Sequence, residues 1–212
     1  MKKGFTLAEV LITLGVIGVV AALTLPNLLE NTTTAQIGPK LAKAVTNFEQ
    51  ANIALLQSYQ SDALVDTGLV TKTEELGVNE KYANKLSETL KISRLTEYGP
   101  FEEPYITKDG MVYSIRTGDF EGDSKIKHKH QVGELGVDIN GPSDPNLSAT
   151  DIFYFAIMDD GSLTPYGSTL YTEVRGDESE YWGEKCAIGV APGDPDYCSG
   201  HVFENNMKVL YK

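Results

Sequence analysis

Cysteine, tryptophan and histidine are scarce, at two, one and three residues in a chain of 212. Two cysteines exclude a disulfide-dense mini-scaffold and a four-cysteine zinc site. Cations are also in deficit: eighteen Lys+Arg stand against thirty Asp+Glu, for a formal charge of −12. That balance excludes a generic electrostatic grip on nucleic acid, because phosphate binding needs clustered cations. Nine prolines and twenty glycines are too few for a collagen-like or fully disordered chain. There is no HExxH, no Gly-rich phosphate loop, no GxSxG elbow and no catalytic triad, so no enzyme signature is present. With 41% apolar residues, the chain holds enough for one globular domain with its own core.

What is present is concentrated in the first thirty residues. Met1-Lys2-Lys3-Gly4 precedes Phe5-Thr6-Leu7-Ala8-Glu9, and Val10 to Leu25 carries no charge. From Phe5 to Leu25 is 21 residues, about 32 Å as a helix at 1.5 Å per residue. A hydrocarbon core is roughly 30 Å thick, so the stretch is long enough to span a bilayer once. Lys2 and Lys3 orient that end toward the cytoplasm, and everything after Leu25 is then exported.

Three readings compete for this segment. A cleavable secretory signal has small residues at Val20-Ala21-Ala22, but its apolar core should not contain Glu9. A plain single-pass anchor also conflicts with Glu9, since an acidic side chain in lipid costs roughly 2.5–3.5 kcal/mol on insertion scales. A carboxylate kept in such a place points to a partner that offsets its cost. The third reading supplies that partner.

Lys2, Lys3, Gly4, Phe5, Thr6, Leu7 and Glu9, followed by about twenty apolar residues, resemble the class III signal of type IV pilins and pseudopilins. The resemblance implies cleavage by a prepilin peptidase between Gly4 and Phe5, then N-methylation of Phe5. Pro26 falls where the family often kinks its helix. The new Phe5 ammonium lies four residues from the Glu9 carboxylate, and Phe5 and Glu9 become assembly residues. Each offers its charge to a neighbouring subunit, in a low dielectric where pairing matters far more than in water. Further implied partners are other pilin or pseudopilin subunits, the inner membrane and an assembly platform protein. The implied location is the inner (cytoplasmic) membrane, single-pass, with the remainder in the periplasm or exterior, and a pilus or pseudopilus after assembly. Gly15 and Gly18 permit close helix contact, although ordinary membrane composition explains them equally well.

Beyond Pro26, a polar Thr-rich stretch leads to an amphipathic pattern at Leu41, Val45, Phe48, Ile53 or Asn52, Leu55 and Tyr59, with steps mostly of three and four. This predicts one long helix from about Phe5 to Tyr59, bent near Pro26 and weakened at Gly38-Pro39. Asp62 to Thr73 reads as a connector. Glu74 to Ile92 has helical composition, anchored by Leu76, Tyr82, Leu86 and Leu90, and Gly99 to Glu103 is loop-like. Period-two patches at Met111–Arg116, Gly136–Ile139 and Ile152–Met158 predict strands. Asp160-Gly161 signals a hairpin into Ser162–Pro165. Val202-Phe203 and Met207 to Tyr211 offer one more strand. The expected fold class is α+β, a long N-terminal helix packed on an antiparallel sheet, pilin-like. The expected divisions are 1–4 leader, 5–25 membrane and filament-core helix, 26–59 amphipathic second half, and 60–212 exported domain.

Asp138, Asn140, Asp144, Asn146 and Asp151 place five oxygen-bearing side chains within fourteen residues around Gly141. Such a loop suits calcium, which takes six to eight hard oxygens. The same residues are ordinary turn formers, and there is no full EF-hand with its closing Glu. Asp-x-Asn-Gly…Pro-Asn turns ahead of an aromatic strand also recur in pilin-like domains, some of which bind calcium. Cys186 and Cys198 enclose eleven residues. Exported thiols tend to oxidise, and closing a loop of this size contributes about 3 kcal/mol in the chain-entropy model. The arrangement resembles the disulfide-closed C-terminal region of many type IV pilins. His128 and His130 flank Lys129, where Lys125 and Lys127 would repel a metal, so the segment reads as a solvated basic patch. Trp182 reads as packing. The function expected is a non-enzymatic structural subunit of a type IV pilus or type II secretion pseudopilus. The alternative is a membrane-anchored binding module, calcium-dependent or DNA-contacting, at a filament tip.

Overall fold

The computed structural model describes residues 6–70, 77–118, 131–148, 150–168, 170 and 199–204, without the side chains of 24–36, 78, 201 and 204. The chain divides into two compact units, Met1–Gln36 and Ile37–Lys212. Helix α1 is Leu7–Tyr59 and runs unbroken past Pro26 and past Gly38-Pro39. Among the described residues no helix is long and apolar enough to cross a membrane. The described apolar side chains of the first unit end at Leu23.

In the second unit α1 is amphipathic. Leu41, Ala44, Phe48, Ala51, Asn52, Leu55 and Leu56 are buried, at the three- and four-residue steps of a helix with one covered stripe. Of the two candidates for the middle anchor, Asn52 turns inward and Ile53 outward; Tyr59, expected inside, is exposed. The helix stops where Gln60 takes φ 52°, and Ser61 N–H closes on the Leu56 carbonyl at 3.1 Å, a left-handed cap built without glycine.

The connector contains a 3₁₀ turn, Val65–Thr67, followed by β1 (Gly77–Val78). Helix α2 is Glu80–Leu90, shorter than the expected Glu74–Ile92. Asn79 sets its start: its side-chain oxygen accepts from Lys81 N–H at 3.1 Å and Tyr82 N–H at 3.3 Å, satisfying two otherwise orphaned amides. Of the expected anchors, Tyr82 and Leu86 are buried and Leu90 is partly buried, while Leu76 lies outside the described residues.

Strands β2 (Ser93–Arg94), β3 (Tyr105–Ile106), β4 (Val112–Thr117), β5 (Gln131–Asp138), β6 (Ile152–Met158) and β7 (Leu163–Pro165) follow. They form an antiparallel meander in the order β2-β3-β4-β5-β6-β7, with β1 added on β4, a sheet of seven strands among the described residues. β3 pairs with the start of β4 and β1 with its end, so both lie along the same edge of β4. The Asp160-Gly161 hairpin forms as expected: Gly161 takes φ 83° and Met158 N–H donates to Ser162 O at 2.9 Å. Val202-Phe203, expected as strand, lies instead in a short helix, α3 (Ser199–Glu204). There Gly200 N–H bonds the Tyr166 carbonyl at 2.7 Å, and Tyr154 N–H bonds the Ser199 hydroxyl at 2.7 Å, so this segment satisfies an amide near the start of β6, beyond the last residue of β7.

The sheet is buried on both faces. One face carries Tyr113, Ile115, Leu135, Val137, Phe153, Phe155 and Ile157, which join the α1 and α2 side chains in the main core. The alternate residues Val112, Ile152, Tyr154, Ala156 and Met158 form a second cluster with Phe101 and Tyr166. Period-two alternation delivers successive side chains to these two cores.

Candidate functional site

Thr6 immediately precedes α1. Its backbone N–H and its hydroxyl both donate to Glu9 Oε2, each at 2.8 Å, and Glu9 N–H returns a bond to Thr6 Oγ1 at 3.3 Å. This is a reciprocal capping box, in which a threonine and a glutamate three residues on satisfy each other at a helix start. Thr13 Oγ1 closes on the carbonyls of Glu9 at 3.0 Å and Val10 at 2.9 Å, so its hydroxyl also stays within the helix. Around this polar end the surface is apolar: Leu7, Leu11, Ile12, Leu14, Val16 and Ile17 are all more than half exposed. Gly15 and Gly18 have open space where a Cβ would stand. Gly4 and Phe5, the expected cleavage and methylation positions, lie outside the described residues, as does the side chain of Pro26.

The second candidate is the Asp138–Asp151 segment. Asp138 is fully buried at the end of β5, and its Oδ1 accepts from Asn140 N–H at 3.0 Å and Gly141 N–H at 2.7 Å. Its Oδ2 accepts the Tyr98 hydroxyl. Tyr98 Oη also meets Gly141 O at 3.0 Å and the Asn146 side-chain amide at 2.6 Å. One phenol proton serves one acceptor well, and it goes to the carboxylate. With its amide nitrogen facing the cluster, Asn146 brings two N–H donors within reach of Tyr98 Oη at 2.6 Å, Asp138 Oδ2 at 3.0 Å and Gly141 O at 3.2 Å. Asp151 accepts from Asn146 N–H at 2.8 Å and Leu147 N–H at 2.6 Å. Asn140 Nδ2 ties to the Asp144 carbonyl at 3.2 Å, and Asp144 itself is exposed. Four of the five oxygen-bearing side chains thus bond within the turn. Among the described residues, no three of His, Cys, Asp and Glu come together as a group able to hold a metal.

Burial raises the Asp138 carboxyl to about 6, against the lowering effect of its hydrogen bonds, and the Asp151 charge adds to the rise. Burial also raises Asp151, and it lifts the Tyr98 phenol well above its ordinary range with Asp138 as the next cause. Tyr98 is the residue that sequence reasoning missed. It lies forty residues from Asp138 in a stretch to which the sequence assigns no element, and no local pattern connects the two.

A pair of a half-buried arginine and a buried glutamate was missed for the same reason. Arg116 and Glu134 face each other across β4 and β5, and Arg116 Nε donates to Glu134 Oε1 at 3.1 Å. Tyr166 Oη donates to Glu134 Oε2 at 3.1 Å and accepts from Gln131 Nε2 at 2.7 Å. These contacts satisfy a carboxylate inside the second cluster and bring no nucleophile to it. Cys186, Cys198, His128, His130, Trp182 and Met207 to Tyr211 lie outside the described residues.

No curated protein and no solved structure matches the chain. The long N-terminal helix followed by an antiparallel sheet is an α+β arrangement of pilin type. Residues 1–25 match the family model described as the prokaryotic N-terminal methylation motif, the class III signal typical of type IV pilins and pseudopilins.

Proposed function

We propose that this chain is a structural subunit, a pilin or pseudopilin, of a type IV pilus or type II secretion pseudopilus. The observation that carries the reading is the match over residues 1–25, with Glu9 standing alone in a helix surface of exposed leucine, isoleucine and valine. The motif implies prepilin peptidase processing and assembly into pilus-type filaments. The apolar segment inserts in the inner membrane with Lys2 and Lys3 on the cytoplasmic side. Cleavage after Gly4 frees the Phe5 amine, which is methylated and retains its charge. Beside a neighbouring subunit, that ammonium meets Glu9 in a low dielectric, and the pairing favours the docked state over the isolated one. Cys186 and Cys198 pair on the exported side.

Two variants test this. Gly4→Val blocks the cut and leaves a precursor, read as an unshifted amino terminus by mass spectrometry. Glu9→Gln is inserted and processed but enters filaments poorly, by at least tenfold for the loss of about 1.5–3 kcal/mol from a charged partner. Normal incorporation of Glu9→Gln removes the pairing step.

A second reading, a calcium-dependent binding module, draws on the buried carboxylates Asp138 and Asp151. The Asp151 charge adds to the cost of charging Asp138, and among the described residues neither has an ion pair. A calorimetric titration with calcium separates the two: heat and a raised melting temperature favour the binding module, and silence leaves assembly.

A further inference from the structure

We infer that Thr6 is a positioning residue for Glu9, holding one carboxylate oxygen within the subunit and leaving the other for a neighbour. The inference rests on the assembly role of Glu9 proposed above.

Both donors of Thr6 fall on the same atom, Oε2, at 2.8 Å. Among the described residues no hydrogen bond reaches Oε1. An acceptor-only carboxylate has about four lone-pair positions over its two oxygens, and Thr6 occupies them on one side alone. The reciprocal bond from Glu9 N–H to Thr6 Oγ1 orients the hydroxyl, so its proton is directed to Oε2. Glu9 therefore has two donors at hand in the free subunit, with no basic side chain between Thr6 and Gln36 to supply them. Its torsions are already fixed, and less rotamer freedom is lost when an ammonium arrives at Oε1. An incoming amine needs to displace neither Thr6 bond. Thr6 thus acts twice: it lowers the cost of a lone carboxylate among apolar side chains, and it determines which oxygen faces outward.

The test uses the full chain with its processing and assembly machinery, comparing Thr6→Val, Thr6→Ser, Glu9→Gln and the double variant Thr6→Val/Glu9→Gln. Two readouts are taken: the fraction processed to a Phe5 terminus, which reports insertion, and the fraction of processed subunit in filaments. Valine keeps the branched shape and the backbone N–H but removes the hydroxyl. The expected result is normal processing of Thr6→Val with filament incorporation lowered about tenfold, matching one hydrogen bond to a charged group. Thr6→Ser should restore incorporation to within about twofold, since serine offers the same hydroxyl at the same cap. The double variant should be no worse than Glu9→Gln alone, because Thr6 acts through that carboxylate. Wild-type incorporation of Thr6→Val overturns the inference. So does a Thr6→Ser defect equal to that of valine, and so does a defect confined to processing. Wild-type incorporation of Glu9→Gln fails the assembly reading instead, a result distinct from all of these.

Discussion

Leu11 and Ile17 in the first unit are 61% and 63% exposed, whereas Leu41 and Phe48, on the same continuous helix but in the second unit, are fully buried. The residue types are alike; the neighbours differ. Apolar side chains are driven together by the area they remove from water, about 25 cal/mol per Å². In Ile37–Lys212 the sheet supplies that cover. In the first unit the described residues from Leu7 to Leu23 leave it open, and ten large apolar side chains are exposed between Leu7 and Leu23. Exposed apolar surface of that extent is the kind that marks contact with a partner or a membrane. The second unit therefore owns its stability, and the first owns its interactions.

The largest effect that would break this contrast is expected at Phe48, which is fully buried and meets Tyr113 edge-on with ring centroids 6.5 Å apart. Phe48→Ala should lower the unfolding free energy of the second unit by about 3–5 kcal/mol in denaturant titration of the full chain in detergent. Leu14→Ala, at a side chain 61% exposed, should move the same transition by under about 0.5 kcal/mol. Comparable losses from both would erase the distinction. Next is Asn52, the buried amide that donates to Gly161 O at 2.9 Å and accepts from Tyr82 Oη at 2.7 Å. Asn52→Ala leaves two buried polar groups unpaired and should cost about 2–4 kcal/mol. In that background Tyr82→Phe should cost less than it does alone, a coupling that a double-mutant cycle reads directly.

A smaller effect, sharpening the contrast from the polar side, lies at Asp138. Its native carboxyl titrates near 6, above the ordinary 3.8, so the folded state binds the proton more tightly than the unfolded chain does. Its contribution is fully present below about pH 3.8 and is lost as the pH rises through about 6. After allowance for solvent the change should be about 1–2 kcal/mol. Asp138→Asn keeps an oxygen for the Asn140 and Gly141 amides, so it should flatten this pH dependence in thermal melts. An unchanged profile would locate the titration elsewhere. Smallest of all is Lys43→Ala, which removes an ion pair to Asp109 of 2.7 Å between side chains 57% and 47% exposed. Its cost should stay below about 1 kcal/mol and shrink with salt.

How much was legible in advance follows from where each signal resides. β4 and β6 read clearly because their apolar and aromatic residues satisfy the strand period along the chain itself. β5 is legible in the sequence only from Gly136, yet it begins at Gln131, because Gly133 and Gly136 lower strand propensity. The fold supplies their reason. A Cβ on Gly133 would lie 2.6 Å from the Arg116 carbonyl oxygen, and one on Gly136 would lie 2.9 Å from the Phe101 ring. The Asp109-Gly110 turn between β3 and β4 carries the same dipeptide as Asp160-Gly161, yet the two-residue β3 gave no run to flank it. At the amino terminus the motif was legible as a string of residues, and the Thr6-x-x-Glu9 spacing was present in it. The convergence of both Thr6 donors on one oxygen is a fact of rotamers, which spacing alone does not supply. Tyr98 was hidden for the reason common to distant contacts: only the folded meander brings it to Asp138.

That meander has a consequence for how the second unit is made. From β3 to β7 every strand pairs with the one just before it, and among the described strands only β1 reaches past its successors. Pairings between consecutive strands close short loops, and short loops form quickly. A polypeptide made from its amino end leaves its last strands to appear last. It can add them hairpin by hairpin, waiting for no distant segment except Gly77-Val78, which is already made.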